Sequence, residues 1–106
     1  MSFHKEDHNV TISGGAGSFT TDHPWRGLLW NLIVEPSTTN NTYKLTVTDK
    51  NGDNVISFDQ SAAADPNNVN SALEMPVLGS YTFTFSSVAS DTPIRVRPIV
   101  REVPYS

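Results

Sequence analysis

Apolar and polar residues alternate with a period of two along most of this chain, and that alternation predicts strands. Val10 and Ile12 alternate with Asn9, Thr11 and Ser13 until Gly14-Gly15-Ala16-Gly17 interrupts, and Phe19 begins a second run. Tyr43, Leu45 and Val47 alternate with Lys44, Thr46 and Thr48, and Ile56 and Phe58 point inward on the return. Between them, Asn51-Gly52 predicts a type I′ hairpin, because both residues tolerate positive φ. Residues 59–72 read as a turn-like connection. An edge strand follows with Leu73, Met75 and Val77 on one face, and Pro76 suits an edge better than a central position. Tyr81, Phe83 and Phe85 then alternate with Thr82, Thr84 and Ser86. The final strand sets Ile94, Val96 and Val100 against Arg95, Arg97 and Arg101.

Residues 27–35 depart from this pattern by being apolar on both faces. Alternation places Leu28, Trp30, Leu32 and Val34 on one face and Leu29 and Ile33 on the other. Such a strand is central and covered on both sides, or is covered only after a partner binds. Pro36 ends it, and residues 37–42 form a polar turn. Trp30, in the densest strand, is expected in the core. Trp25 lies at a loop-to-strand boundary between Pro24 and Arg26 and is expected to be the more accessible tryptophan, an interface anchor or a sugar-stacking platform.

Seven to eight short strands without a long helix predict an all-β fold. The expected form is a single β-sandwich of mostly antiparallel strands, immunoglobulin-like or jelly-roll in topology. Residues 9–106 are expected to form that one domain, with residues 1–8 a flexible N-terminal arm. The composition agrees: 37% hydrophobic and 17% charged, with many Ser, Thr and Asn to cover outer sheet faces. A formal charge of −4 gives no general attraction to nucleic acid or anionic membranes, so neither is expected as a partner. The absence of cysteine excludes disulfides and zinc–thiolate sites. Charges in MSFHKEDH occupy the place of a signal peptide's apolar run, and no stretch approaches the ~20 apolar residues of a membrane span. Folding in the cytosol is therefore expected.

Candidate chemistry is sparse. Asp49, Asn51 and Asp53 have calcium-loop oxygen spacing, but the glycine, Gly52, comes fourth instead of sixth and Gln60 takes the twelfth position of the bidentate glutamate, and the hairpin explains the same residues. His4 and His8 would share a face on a helix and ligate a metal there, whereas the polarity of the segment favours a solvated tail. His23 beside Asp22 lacks a placed nucleophile. No catalytic residue, metal or cofactor is expected, and the protein reads as non-enzymatic. Arg95, Arg97 and Arg101 form a basic stripe on an acidic protein, read either as a solvated face guarding an edge or as a docking strip for an acidic surface.

The order of elements, from RGLLWNLIVEP through YKLTVTDKNGDNVI to GSYTFTFSSVASDTPIRVRPIV, resembles small all-β structural proteins of tailed bacteriophages, of the head decoration or cement type. The likeness covers about residues 8–103 and lies in pattern rather than in a diagnostic motif. It implies a capsid-surface protein of the virion, made in the host cytoplasm, homo-oligomeric, and binding the major capsid protein or other virion subunits. A head–tail connector or tail component is a close variant. Partner contacts are expected at Phe3 and His8 of the arm, at Trp25 and Arg26, and at Arg95, Arg97 and Arg101. The alternative is a carbohydrate-binding or adhesin-like β-sandwich, with Trp25, Tyr43 and Tyr105 as stacking residues and the 59–78 connection as a binding loop.

Overall fold

A computed structural model describes residues 2–61 and 68–102. Within them the chain forms nine strands and no helix. These are β1 (Ser2–Lys5), β2 (His8–Val10), β3 (Gly17–Thr20), β4 (Trp25–Pro36), β5 (Tyr43–Thr48), β6 (Asn54–Gln60), β7 (Val69–Gly79), β8 (Thr82–Ser86) and β9 (Ile94–Glu102). One antiparallel sheet runs β1-β9-β4-β7 with β2 also on β9, and the other runs β3-β8-β5-β6. β1 and β2 lie end to end along the same side of β9 and act as one interrupted strand. Beyond that pair, only β5 and β6 are consecutive neighbours within a sheet; every other connection crosses to the opposite sheet. This is the jelly-roll order, and it decides between the two sandwich topologies the sequence left open.

The interruption has a backbone cause. Lys5 pairs with Ile99 and His8 with Val96, which sets Glu6 opposite Pro98. The Glu6 N–H donates to the Pro98 carbonyl at 3.2 Å, but proline has no N–H with which to return the bond. The ladder breaks at this point and resumes at His8. The segment expected as a flexible arm is therefore paired with β9 over Ser2–Lys5 and again at His8.

β4 carries the fold's most consequential irregularity. It pairs with β7 on one side and β9 on the other, and both registers shift between Leu29 and Asn31. Trp30 occupies the resulting bulge, and the extra residue reverses the inside–outside parity of the strand beyond it. Trp25, Leu29, Leu32 and Val34 all face the core, none more than 2% exposed. Leu28, Trp30 and Ile33 face out. Strict alternation had set Trp30 and Leu32 on the same face, and the two tryptophans exchange their expected roles. Trp25 is 2% exposed and Trp30 is 40% exposed.

Tyr43, Leu45, Val47, Phe83 and Phe85 of the second sheet meet Ile94, Val96 and Val100 of β9 in the core. The β5–β6 turn is held by Asp49, whose Oδ1 accepts the N–H groups of Asn51 at 2.9 Å and Asp53 at 3.0 Å. Gly52 has φ of 84° while Asn51 does not share the positive region, so the turn is of the glycine-bulge kind and not type I′. β6 reaches Gln60 and β7 starts at Val69, which shortens the connection expected over 59–72; residues 62–67 lie outside the described residues.

Candidate functional site

Two constellations stand out, one on the outer face of the first sheet and one at the end of the sandwich where β1, β2 and β4 converge. On the outer face, register places Phe3 beside Arg101, Arg101 beside Leu28, and Leu28 beside Pro76. The β4 bulge adds Trp30, whose ring lies 5.3 Å from that of Phe3 at an interplanar angle of 53°. Phe3 is 47% exposed and Leu78, which is paired with Arg26, is 72% exposed. With half-buried Leu28, Ile33 and Ile99 between them, these residues leave a broad apolar surface toward solvent. Single exposed apolar side chains are ordinary, whereas a contiguous exposed apolar group around a tilted aromatic pair is the kind of patch that contact surfaces carry.

The arginine stripe lies on this face and is largely neutralised in place. Arg95 makes a two-pronged ion pair with Asp7, Nε to Oδ1 at 2.9 Å and NH2 to Oδ2 at 2.6 Å. Arg97 pairs with Glu35 of β4. The expected strip of free positive charge is thus replaced by paired charges bordering an apolar field.

The second constellation is built on Glu6. Period-two alternation through β1 and β2 turns His4, Glu6 and His8 inward, as the pairing of His4 with Val100 and His8 with Val96 requires. Glu6 is 4% exposed. Its Oε1 accepts from His8 Nε2 at 2.6 Å and from the Asp22 N–H at 3.0 Å. Its Oε2 accepts from Trp25 Nε1 at 2.6 Å and from His4 Nε2 at 2.9 Å. Burial alone would raise this carboxyl. The bonds from His8, the Asp22 N–H, Trp25 and His4 together outweigh it and hold the group down at about 2. An ionised carboxylate can only accept, so both imidazoles carry their proton on Nε2. His8 also stacks on Phe19 at 3.9 Å, and His4 packs against the ring of His23 at 4.1 Å. All three histidines of the chain meet here, and the solvated-tail expectation for His4 and His8 is corrected.

The remaining sequence candidates fall into place around these two sites. Trp25, stacked on Tyr81 at 5.7 Å, is interior and bonded to Glu6, so it offers no ring face for a sugar. Tyr43 is fully buried, edge-on to Phe85, and burial pushes its hydroxyl up to about 12. Tyr105 lies outside the described residues. Arg26 sits on the rim of an open groove of about 570 Å³ with Pro24, Lys50, Leu78 and Ser80. His23 Nδ1 contacts the Pro24 carbonyl at 3.1 Å instead of Asp22. Asp49 spends its carboxylate on the hairpin backbone.

Of the contact residues named from sequence, Phe3, Arg26, Arg95, Arg97 and Arg101 share the outer face, while His8 and Trp25 meet inside through Glu6. Trp30, Leu78 and Glu6 were missed. For Glu6 a signal existed: the H-x-E-x-H-x-V run from His4 to Val10 is strand alternation with a polar inner face. For Trp30 none did, since a bulge is set by the neighbouring strands.

No protein-family model and no curated protein matches the sequence. Among solved structures, the chain is similar to a Streptococcus pneumoniae fucose binding module, SpX-3, at 13% identity and TM-score 0.49 over 96% of this chain and 95% of that one. It is similar to a chain of infectious bursal disease virus, Gx strain, at 10% identity and TM-score 0.39 over 96% and 37% of the two chains. A third likeness is to the extra small virus particle of the giant freshwater prawn Macrobrachium rosenbergii, at 11% identity and TM-score 0.31 over 93% and 78%.

Proposed function

We propose that this jelly roll is a non-catalytic structural module of a virion, seated by the outer face of its β1-β9-β4-β7 sheet on the major capsid protein lattice. The observation that carries the reading is the exposed Phe3–Trp30 pair at the centre of an apolar face. Aromatic anchors of this kind dominate the energy of protein interfaces. The ion pairs of Arg95 with Asp7 and Arg97 with Glu35 support it, because charges already paired cost less to cover than free ones. The resemblance in element order to phage head decoration proteins points the same way. A lattice-bound copy stabilises the assembled shell by mass action, and many weak copies add up.

A glycan-stacking role suits this face less well. The Phe3 and Trp30 rings are tilted by 53° and do not form the flat platform that a pyranose ring needs. Tryptophan and tyrosine at positions 25 and 43 are interior.

The test is peptide mass spectrometry on gradient-purified virions from the source culture, followed by rebinding of purified protein to shells that lack it. The reading expects copy numbers approaching that of the major capsid protein, and loss of rebinding for the Phe3→Ala/Trp30→Ala double variant. Absence from the virion, or glycan binding that depends on Trp30, would overturn it.

A further inference from the structure

We infer that Glu6, His8 and Asp22 form a binding site for a divalent transition metal of the zinc type at the mouth of the sandwich. Their donor atoms all lie within 4.8 Å of one another. His8 Nε2 is 2.6 Å from Glu6 Oε1 and 3.8 Å from Asp22 Oδ1. Zinc bonds of about 2.0–2.2 Å in a tetrahedron separate neighbouring donors by roughly 3.4 Å. The His8–Asp22 span is close to that already. The His8–Glu6 contact needs to open by less than about 1 Å, which replaces one hydrogen bond by two metal bonds.

What lifts this cluster above a chance meeting of polar groups is its outer support. Metal-binding carboxylates and imidazoles work best when their remaining atoms are fixed by other partners. Glu6 Oε2, the oxygen turned away from the site, is held by Trp25 Nε1 and His4 Nε2. The Asp22 N–H bonds to Glu6 Oε1 and fixes the loop that carries the third ligand. The His8 ring is clamped flat against Phe19. Asp22 has 64% of its side chain in solvent, which gives an ion a way in and leaves a fourth position for water. One imidazole with two carboxylates selects borderline zinc-like ions over calcium or magnesium, which prefer all-oxygen shells. When the metal takes the Nε2 lone pair, the His8 proton moves to Nδ1 and the charge on the imidazole is unchanged.

The inference stands apart from the capsid reading: the site uses none of the outer-face apolar residues. Its test is calorimetric titration of chelator-stripped protein with zinc chloride, alongside thermal unfolding. One zinc per chain is expected, with a raised midpoint, and no heat from calcium or magnesium. His8→Ala and Asp22→Asn should each weaken zinc binding by at least about 10-fold. Asp22 is exposed, so the second variant keeps the fold intact even where the first disturbs it. Asp53→Asn, which neutralises an exposed carboxylate on the β5–β6 hairpin of the other sheet, should leave the affinity unchanged. Failure to bind zinc, or binding that survives Asp22→Asn, would overturn the inference.

Discussion

The indole N–H of Trp25 donates to Glu6 Oε2 at 2.6 Å, and so the first strand of the chain is bolted to the start of β4 inside the sandwich. Both groups are almost wholly removed from water. A buried carboxylate of this kind is stable only while every donor around it stays in place, so the bond links the packing of two strands to one another.

Removing that carboxylate should therefore be costly. Glu6→Ala leaves the Trp25 N–H, the Asp22 N–H and two imidazole donors without their acceptor, and a loss of about 3–5 kcal/mol in unfolding free energy is expected. Urea denaturation of the metal-free variant reads it directly. By contrast, Asp7→Ala, which removes the exposed partner of Arg95, should unfold within error of the parent protein. Equal effects from the two substitutions would mean that the buried Glu6 carboxylate contributes no more than an exposed ion pair does.

Acid should undo the same node. The Glu6 carboxyl titrates at about 2 in the folded chain against an ordinary 4.5. A depressed folded value means that the carboxylate's contribution is fully present above pH 4.5 and is lost as pH falls toward 2. The span corresponds to about 3 kcal/mol. Unfolding midpoints measured in chelator-containing buffer from pH 6 to pH 2 should fall steeply over that window, and the fall should be shallower for Glu6→Gln.

The two tryptophans should separate optically. Trp30 is expected to account for nearly all acrylamide quenching, because Trp25 is sealed between Tyr81, Phe83 and Glu6. Trp30→Phe should leave an emission that resists quencher, with unfolding free energy changed by less than about 1 kcal/mol. Strong quenching that persists in this variant would contradict the bulge and the placement of Trp25.

Gly17 offers a steric test of the turn after β2. A Cβ there would overlap the Thr11 carbonyl oxygen and come within 2.9 Å of Ile12 Cδ1. The first of these is backbone and cannot swing away, so Gly17→Ala should destabilise by about 1–3 kcal/mol. Gly14 has open space at the same distance. Its positive φ of 61° makes an alanine there a strained substitution without a clash, which differential scanning calorimetry of the pair should resolve.

Much of the fold is legible in the sequence. Period-two alternation in 43–48, 81–86 and 94–101 specifies strands and their buried faces, and those faces are buried: Leu45, Val47, Phe83, Phe85 and Val96 are sealed from solvent. Alternation is a local property of the pleated backbone, so a single strand's sequence suffices to express it. Asn51-Gly52 marks the hairpin for the same reason, although the turn uses positive φ at Gly52 alone.

The topology, the fate of the N-terminal segment and the surface of the molecule were decided elsewhere. His4, Glu6 and His8 read as a solvated tail because nothing local tells a polar strand that Trp25 and the Asp22 N–H will supply partners for its carboxylate. Pro98 splits that strand in two from the far end of the chain, by withholding one N–H. Trp30 shares the outer face with Leu28, while Leu32 and Val34 turn into the core beyond it, because the pairings of β4 with β7 and β9 both shift register between Leu29 and Asn31 and a one-residue slip turns every later side chain to the other face. The sequence by itself determined the strands beyond the N-terminal segment and that they would close into a β-sandwich. Only the tertiary structure decided which tryptophan faces solvent, since that choice belongs to the pairing of three strands and not to any one of them.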